Sequence, residues 1–307
     1  MASAVVFAYH NVGVRCLAVL IAQGVDVRLV VTHQNNSSEN IWFDSVKELA
    51  ESYDILVITP DNPNSPEVIA QLKDCQADFL FSFYYRTMLS RAVLETVKRS
   101  AFNMHGSLLP KYRGRVPVNW AIIQGEVETG ATLHVMNEKP DNGAIVDQFT
   151  VPILPDDTGA QVFNKVTVAA ELVLDRCLPD LVAGKAKFTP QDLSKGAYFG
   201  GRKAEDGRIN WQQPARVIHN LVRAVSKPYP GAFFDIVQGQ IIIWQTRVMN
   251  LSETGKPALF VKNNALYARC ADSQLLRVLK AELNGQPLDA NNFKLRFDGE
   301  EIIMLTI

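Results

Sequence analysis

The chain has 307 residues, 47% of them hydrophobic and 21% charged, with a formal net charge of −1. That length exceeds what one core usually fills and predicts two domains, while the composition excludes wholesale disorder and fibrous repeats. The near-neutral charge excludes the cationic field that nonspecific nucleic-acid binding needs, and no run approaches the ~20 apolar residues of a spanning helix, so neither nucleic acid nor membrane insertion is expected.

Four cysteines, Cys16, Cys75, Cys177 and Cys270, stand far apart, without a Cys-x-x-Cys pair or a His at metal-ligand spacing. Neither a disulfide framework nor a metal site is expected. The N-terminus runs directly into an apolar stretch and lacks the basic and long apolar regions of a secretory signal. Both features point to a reducing, cytoplasmic setting.

Ala4 to Tyr9 reads as a short apolar strand. Val14 to Gln23 places Val14, Leu17, Leu20 and Ile21 on one helical face and stops at Gly24. Val27 to Thr32 is the next strand, Ser45 to Glu51 a short helix and Ile55 to Thr59 a strand. Ser65-Pro66-Glu67 supplies a capping serine, a first-turn proline and an acid to open a further helix. Phe79 to Phe83 reads as a buried strand, Arg91 to Lys98 as helix, Ala101 to His105 as strand and Val116 to Ile123 as helix. This alternation predicts an α/β fold with a doubly wound, mostly parallel, Rossmann-like sheet, and such sheets bind ligands beyond the carboxyl ends of their strands. Those ends carry Tyr9-His10-Asn11, Tyr84-Tyr85-Arg86 and Asn103-Met104-His105. Gly13 alone is not the three-glycine dinucleotide fingerprint, so no NAD is expected.

Thr158-Gly-Ala-Gln161 forms a capping box ahead of a long helix ending near Leu181. Residues Gly184 to Gly207, rich in Lys, Gly and polar groups, read as a linker or crossing loop. Beyond it Ile236 to Val248, Ala258 to Val261, Ala265 to Arg269 and Leu275 to Leu279 are β-like runs between Gly, Asn and Asp turns, with one helix around Pro214 to Ser226. They predict a smaller C-terminal β-rich, OB-like domain. The expected division is 1–200 and 201–307.

The most informative stretch is Phe102-Asn103-Met104-His105-Gly106-Ser107-Leu108-Leu109-Pro110, continuing to Arg115. Residues two apart on a strand point to one face, so Asn103 and His105 can reach one reacting atom. Asn103 is an uncharged donor suited to a developing oxyanion, and His105 can exchange protons near neutral pH. Gly106 permits a sharp turn or close approach, and Pro110 and Gly114 hold an irregular loop open. A histidine near a strand end is by itself as well explained by local hydrogen bonds, and Asp141-Asn142-Gly143 by itself as a hairpin turn. His33, His134 and His219 show no partner pattern and read as surface or hydrogen-bonded residues.

The Asn-x-His-Gly-Ser-Leu-Leu-Pro run, followed some thirty-five residues later by Asp-x-Gly, resembles the signature of the folate-dependent formyltransferases. Within that family the chain is most similar to the formyltransferase domain of the bifunctional enzyme that acts on UDP-4-amino-4-deoxy-L-arabinose. The likeness lies in Val5 to His10, Phe81 to Arg86, the His105 to Arg115 loop, and Arg223 to Val225 with Pro228 to Phe233. It covers most of the first 235 residues and fades in the last 70.

The resemblance implies a catalytic trio of Asn103, His105 and Asp141, with Asp141 orienting the imidazole and favouring its charged form. It implies 10-formyltetrahydrofolate as co-substrate, held by Thr87, Met88, Leu89 and Arg115 and by Asn137, Glu138, Lys139 and Pro140. Tyr9, His10, Arg202 and Tyr229 are the expected contacts to a nucleotide sugar, Arg202 for phosphate charge and Tyr229 as an aromatic wall. The family's initiator-tRNA enzyme opens with Gly-Thr-Pro after its first strand and carries Ala after the His; Ala8-Tyr9-His10 and Gly106 depart from both. A formate-releasing hydrolase and a non-catalytic binding module are the alternatives from other classes, and retention of all three trio members disfavours the module. The oligomeric state stays open, with a homodimer among the options.

Overall fold

The structure, a computed structural model, describes residues 1–35 and 40–305. The chain forms two compact units that interleave along the sequence. One comprises Met1–Pro117, Glu128–Pro152 and Phe163–Gly200; the other comprises Val118–Val127, Ile153–Val162 and the chain from Gly201 onward.

Along the chain run β1 (Ser3–Ala8), α1 (His10–Ala22), β2 (Asp26–Val31), α2 (Val46–Glu51), β3 (Val57–Ile58), α3 (Pro66–Asp74), β4 (Phe79–Phe83), α4 (Arg91–Leu94) and β5 (Ser100–His105). There follow β6 (Arg113–Gly114), α5 (Pro117–Ile123), β7 (Glu128–Val135), β8 (Ile145–Pro152), α6 (Gly159–Ala183) and β9 (Tyr198–Phe199). The main sheet has the order β3-β2-β1-β4-β5-β7-β8. The first five strands are parallel, and β7 and β8 turn antiparallel. The alternation read from the sequence therefore yields the mostly parallel α/β sheet it predicts. Strand order reverses between β1 and β4, and sheets of this type bind ligands beyond the carboxyl ends of the strands at such a point.

Val5, Phe7, Leu29, Val31 and Leu80 from the strands pack with Val68 and Leu72 of α3 and Val93 of α4 into one buried core. Each such side chain contributes about 1.5–3 kcal/mol, enough to set the strands' register and fix where their polar ends emerge.

Some elements differ from the sequence reading for identifiable reasons. Helix α1 starts at His10 rather than Val14. Gly13 lies inside the helix at a close approach, where a Cβ would stand 3.0 Å from Val46 and 3.2 Å from Ala8. The glycine buys close helix-to-strand packing. Helix α4 stops at Leu94 rather than Lys98, since the Lys98 and Arg99 N–H groups donate to the Ala77 and Asp78 carbonyls as the chain enters β5. The stretch Gly184 to Gly207 holds β9, which pairs with β6. Ser65 caps α3 with Pro66 in its first turn, and Thr158 and Gln161 form a reciprocal capping box before α6, as their residue types dictate.

The second unit contains α7 (Ala215–Ala224), β10 (Ala232–Ile236), β11 (Gly239–Ser252), β12 (Ala258–Lys262), β13 (Ala265–Arg269), β14 (Gln274–Leu283), β15 (Gln286–Leu288), α8 (Phe293–Arg296) and β16 (Ile302–Met304). Its antiparallel half-barrel sheet has the order β10-β11-β14-β13-β12-β16, with β15 beside β14. The run Ile236 to Val248 is not one strand, because a turn between Ile236 and Gly239 folds β10 back on β11. Helix α7 seats three buried polar side chains, His219, Asn220 and Arg223. His219 meets Thr246 Oγ1 at 2.9 Å and the Pro155 carbonyl at 3.0 Å, and Arg223 donates to Asn220, Leu154 and Asp157. No helix among the described residues is long and apolar enough to cross a membrane.

Candidate active site

Strand β5 presents Asn103 and His105 on one face, and β7 lies antiparallel beside it with Asn103 opposite His134 and His105 opposite Thr132. Asp141 arrives from the loop after β7 in a left-handed conformation, φ 55°, that Asp tolerates better than most residues. Several bonds pin this loop. Gln191 Nε2 donates to the carbonyls of Asp141 (2.9 Å) and Gly143 (2.6 Å), and Arg113 Nη1 donates to Asn142 Oδ1 at 2.9 Å. Gly143 is the only residue type that fits, since a Cβ would stand 1.8 Å from the Val135 carbonyl oxygen.

Asp141 is thereby brought to Asn103 and His105. Its Oδ1 lies 3.5 Å from His105 Nδ1, 3.4 Å from His134 Nε2 and 3.5 Å from Asn103 Nδ2, while Oδ2 accepts the Gly114 N–H at 2.8 Å. Burial alone would raise its pKa, but the two imidazoles and the Gly114 N–H outweigh that and hold the carboxyl well below the usual range. The group is an anion at neutral pH.

The buried His105 donates from Nε2 to the Tyr112 carbonyl at 2.8 Å, which turns its Nδ1 edge toward Asp141. The loop carrying Tyr112 is stitched to the sheet. Thr132 Oγ1 donates to the Ser107 carbonyl at 2.6 Å and receives the Leu109 N–H, and Gln148 Nε2 donates to the Leu109 carbonyl at 2.9 Å. Gly106 has its own constraint, because a Cβ there would lie 1.9 Å from the Tyr84 hydroxyl. An amide donor, an imidazole and a buried anion within hydrogen-bonding range form a set able to stabilise an oxyanion and move a proton.

The remaining expected contacts are distributed more widely. Asn64 braces the segment after β4, donating to the Met88 carbonyl at 2.9 Å and accepting the Ser90 N–H at 2.7 Å; Thr87 and Met88 are exposed there and Leu89 is buried. Arg115 is exposed and its N–H donates to the Phe199 carbonyl at 2.9 Å. Asn137, Glu138, Lys139 and Pro140 form the lead into Asp141, with Asn137 Oδ1 accepting the Lys139 N–H and Glu138 facing Arg91 at 3.4 Å. Tyr9 is buried, its hydroxyl donating to Asn35, with the Arg86 guanidinium 4.6 Å over its ring.

Arg202 and Tyr229 belong to the second unit. Arg202 lies 4.8 Å over the Trp120 ring and donates to the Asp206 carbonyl at 2.6 Å. Tyr229 is half-buried and burial pushes its hydroxyl up to about 12, partly offset by a hydrogen bond with Asn119.

His10 is stacked on Phe43 at 4.0 Å and edged by Trp42 and Phe163. Burial first and the nearby Arg86 charge second push its pKa down to about 3 from an ordinary 6.5. It is neutral in the folded protein. Below pH 6.5 the unfolded chain takes a proton that the native state refuses, so stability is present above that pH and falls as pH drops toward 3. The slope for one such group is at most about 1.4 kcal/mol per pH unit, less for the part of the ring that solvent screens. His219, lowered chiefly by burial, acts in the same direction. Urea unfolding of the wild type and His10→Asn at pH 7.5 and 5.0 is expected to show a smaller acid loss in the variant; equal losses would refute this account of His10.

His134, read from the sequence as a surface or hydrogen-bonded residue, is the latter and stands beside the trio: it is 2% exposed, donates from Nδ1 to the Val135 carbonyl at 2.9 Å and places Nε2 3.2 Å from Asn103 Nδ2. Its only sequence signal is a shared face with Thr132 on β7, and the pairing of β7 with β5 is what gives that face meaning.

Comparison with known proteins supplies the family. Residues 14–178, more than half of the chain, match the family described as formyl transferase. The chain belongs to the formyl transferase family. Residues 202–297 match the family described as formyl transferase, C-terminal domain.

The fold is similar to that of an N-formyltransferase from Helicobacter canadensis in complex with folinic acid and dTDP-3-aminofucose, at 22% identity and a TM-score of 0.73 over 94% of this chain and 100% of that one. It is also similar to WlaRD, a sugar 3N-formyl transferase solved with dTDP and 5-N-formyl-THF, at 21% identity and a TM-score of 0.71 over 94% and 98%. A sugar N-formyltransferase from a Shewanella species matches at 22% identity and a TM-score of 0.64, over 79% of this chain and 96% of that one.

Proposed function

We propose that this formyl transferase moves the formyl group of 10-formyltetrahydrofolate to the amine of a nucleotide-linked 4-amino sugar, with UDP-4-amino-4-deoxy-L-arabinose the preferred acceptor. The observation that carries the reaction is the convergence of Asn103 and His105, each 3.5 Å from one carboxylate oxygen of Asp141, in a formyl transferase fold. The acceptor amine attacks the formyl carbon and forms a C–N bond, with the Asn103 amide donating to the oxyanion. His105, oriented by anionic Asp141, relays the amine's proton to N10 of the folate as the C–N10 bond breaks. Products are the N-formyl sugar nucleotide and tetrahydrofolate.

A folate donor is supported by the folinic acid and formyl-THF held by two structural neighbours, and a sugar-nucleotide acceptor by the dTDP-3-aminofucose and dTDP held by the same two. The 4-amino sugar and uridine base rest on the resemblance of Tyr9-His10, Tyr84-Tyr85-Arg86 and Pro228 to Phe233. Residues 1–200 serve as the catalytic and folate-binding part in this reading, with Thr87 to Leu89, Arg115 and Asn137 to Pro140 at the folate and Tyr9, His10, Arg202 and Tyr229 at the sugar nucleotide. A reducing cytoplasm suits the four cysteines, all free thiols.

A dTDP-linked 3-amino sugar is the second reading, favoured by what the two neighbours hold. Steady-state kinetics with 10-formyltetrahydrofolate across UDP-4-amino-4-deoxy-L-arabinose, other nucleotide 4-amino sugars, a dTDP-3-amino sugar and initiator Met-tRNA test both. The highest kcat/KM is expected for a 4-amino sugar nucleotide. Efficient formylation of Met-tRNA with none of any sugar would overturn the proposal.

A further inference from the structure

We infer that His134 is a positioning residue for the Asn103 amide: its Nε2 lone pair takes one amide N–H, leaving the other to be delivered to the formyl oxygen. This inference rests on the reading of Asn103 as an oxyanion donor. A primary amide on a strand end can rotate about its terminal torsion, and its oxygen and nitrogen are nearly the same size. Nothing in the Asn103 side chain itself decides which of the two faces the reacting atoms. An acceptor on one side decides it.

His134 is built to be that acceptor. The Val135 carbonyl can only accept, so it holds a proton on His134 Nδ1 at 2.9 Å, and in that tautomer Nε2 carries the lone pair. That atom stands 3.2 Å from Asn103 Nδ2, nearer than the 3.4 Å to Asp141 Oδ1, and the amide's own distance to Asp141 Oδ1 is a looser 3.5 Å. The shorter contact holds one hydrogen, and the longer leaves the second available for a developing oxyanion. The ring cannot swing away, being 2% exposed. The register of β7 against β8 shifts between Leu133 and His134, an irregularity of the kind that re-aims a strand side chain toward a site. Gly143 presses on the same Val135 carbonyl that sets the tautomer, so the loop carrying Asp141 and the ring of His134 are positioned together.

Two measurements on the full chain test the inference. The first needs no turnover: long-range 15N spectra of the imidazoles are expected to show His134 protonated at Nδ1 and bare at Nε2, with the Nε2 resonance moving in Asn103→Ala. A protonated Nε2, or no response to Asn103→Ala, overturns it. If wild type formylates no amino-sugar nucleotide, the transferase reading fails while these spectra still decide the role of His134.

The second is a double-mutant cycle with 10-formyltetrahydrofolate and UDP-4-amino-4-deoxy-L-arabinose. His134→Leu is expected to lower kcat about 10- to 100-fold with KM changed less than about threefold, and to cost less than about threefold when added to Asn103→Ala. His134→Gln, whose amide oxygen restores an acceptor, is expected to recover at least half of that loss on a logarithmic scale, and His134→Ala, which also lacks an acceptor, serves in place of Leu should that variant not fold. Unchanged kcat in His134→Leu, or equal losses with and without Asn103, overturns the inference.

Discussion

His105→Ala and Asp141→Ala are expected to lose about 100- to 10,000-fold in kcat for formyl transfer while still binding tetrahydrofolate, the range that positioned acid–base groups contribute. His105 places its Nδ1 edge 3.5 Å from Asp141 while donating from its other nitrogen to the Tyr112 carbonyl at 2.8 Å. Removing it leaves the amine's proton without a carrier to the folate nitrogen. Removing Asp141 takes away the anion that faces both imidazoles and the acceptor of the Gly114 N–H. Asn103→Ala should fall by about 100- to 1000-fold, the measured scale for a single oxyanion donor. Rapid-quench assays with urea midpoints on each variant separate chemistry from folding, and near wild-type turnover in His105→Ala would end the mechanism proposed for this site.

Gly143→Ala is expected to be nearly as damaging although the residue carries no chemistry. A single added methyl would stand 1.8 Å from the Val135 carbonyl oxygen and 2.7 Å from its carbon, a backbone neighbour that cannot rotate away. The loop must shift, and with it Asp141, whose carbonyl is tied to the same Gln191 amide as that of Gly143. Displacing a catalytic group by about 1 Å costs on the order of 100-fold in rate, and overpacking costs about 1–3 kcal/mol of stability. The expected result is a kcat loss of about 100-fold with the urea midpoint lowered but a cooperative transition retained. Full activity in Gly143→Ala would mean that the loop's position does not govern Asp141.

The sequence carried the fold class in its alternation of apolar runs and capped helices. Period and punctuation are local properties, so Ser65-Pro66 and Thr158 to Gln161 announce their helices whatever surrounds them. It also placed Asn103 and His105 on one face, because alternation along a strand needs no partner.

What the sequence could not supply is anything set by pairing across the chain. Helix α1 reads as starting at Val14 although it begins at His10 with Gly13 packed on Ala8, and residues 95 to 98 read as helix until the Lys98 and Arg99 N–H groups find carbonyls near β4. His134 reads as idle until β7 lies beside β5, and Asp141-Asn142-Gly143 reads as a bare turn until Arg113, Gly114 and Gln191 hold it. Those bonds join residues 27 to 50 positions apart, and local propensity carries no information over such spans. The alternation of elements was therefore determined by the sequence alone, whereas the meeting of His134, His105 and Asn103 at Asp141 was decided by the tertiary structure, because only strand register and loop closure bring three such side chains to one carboxylate oxygen.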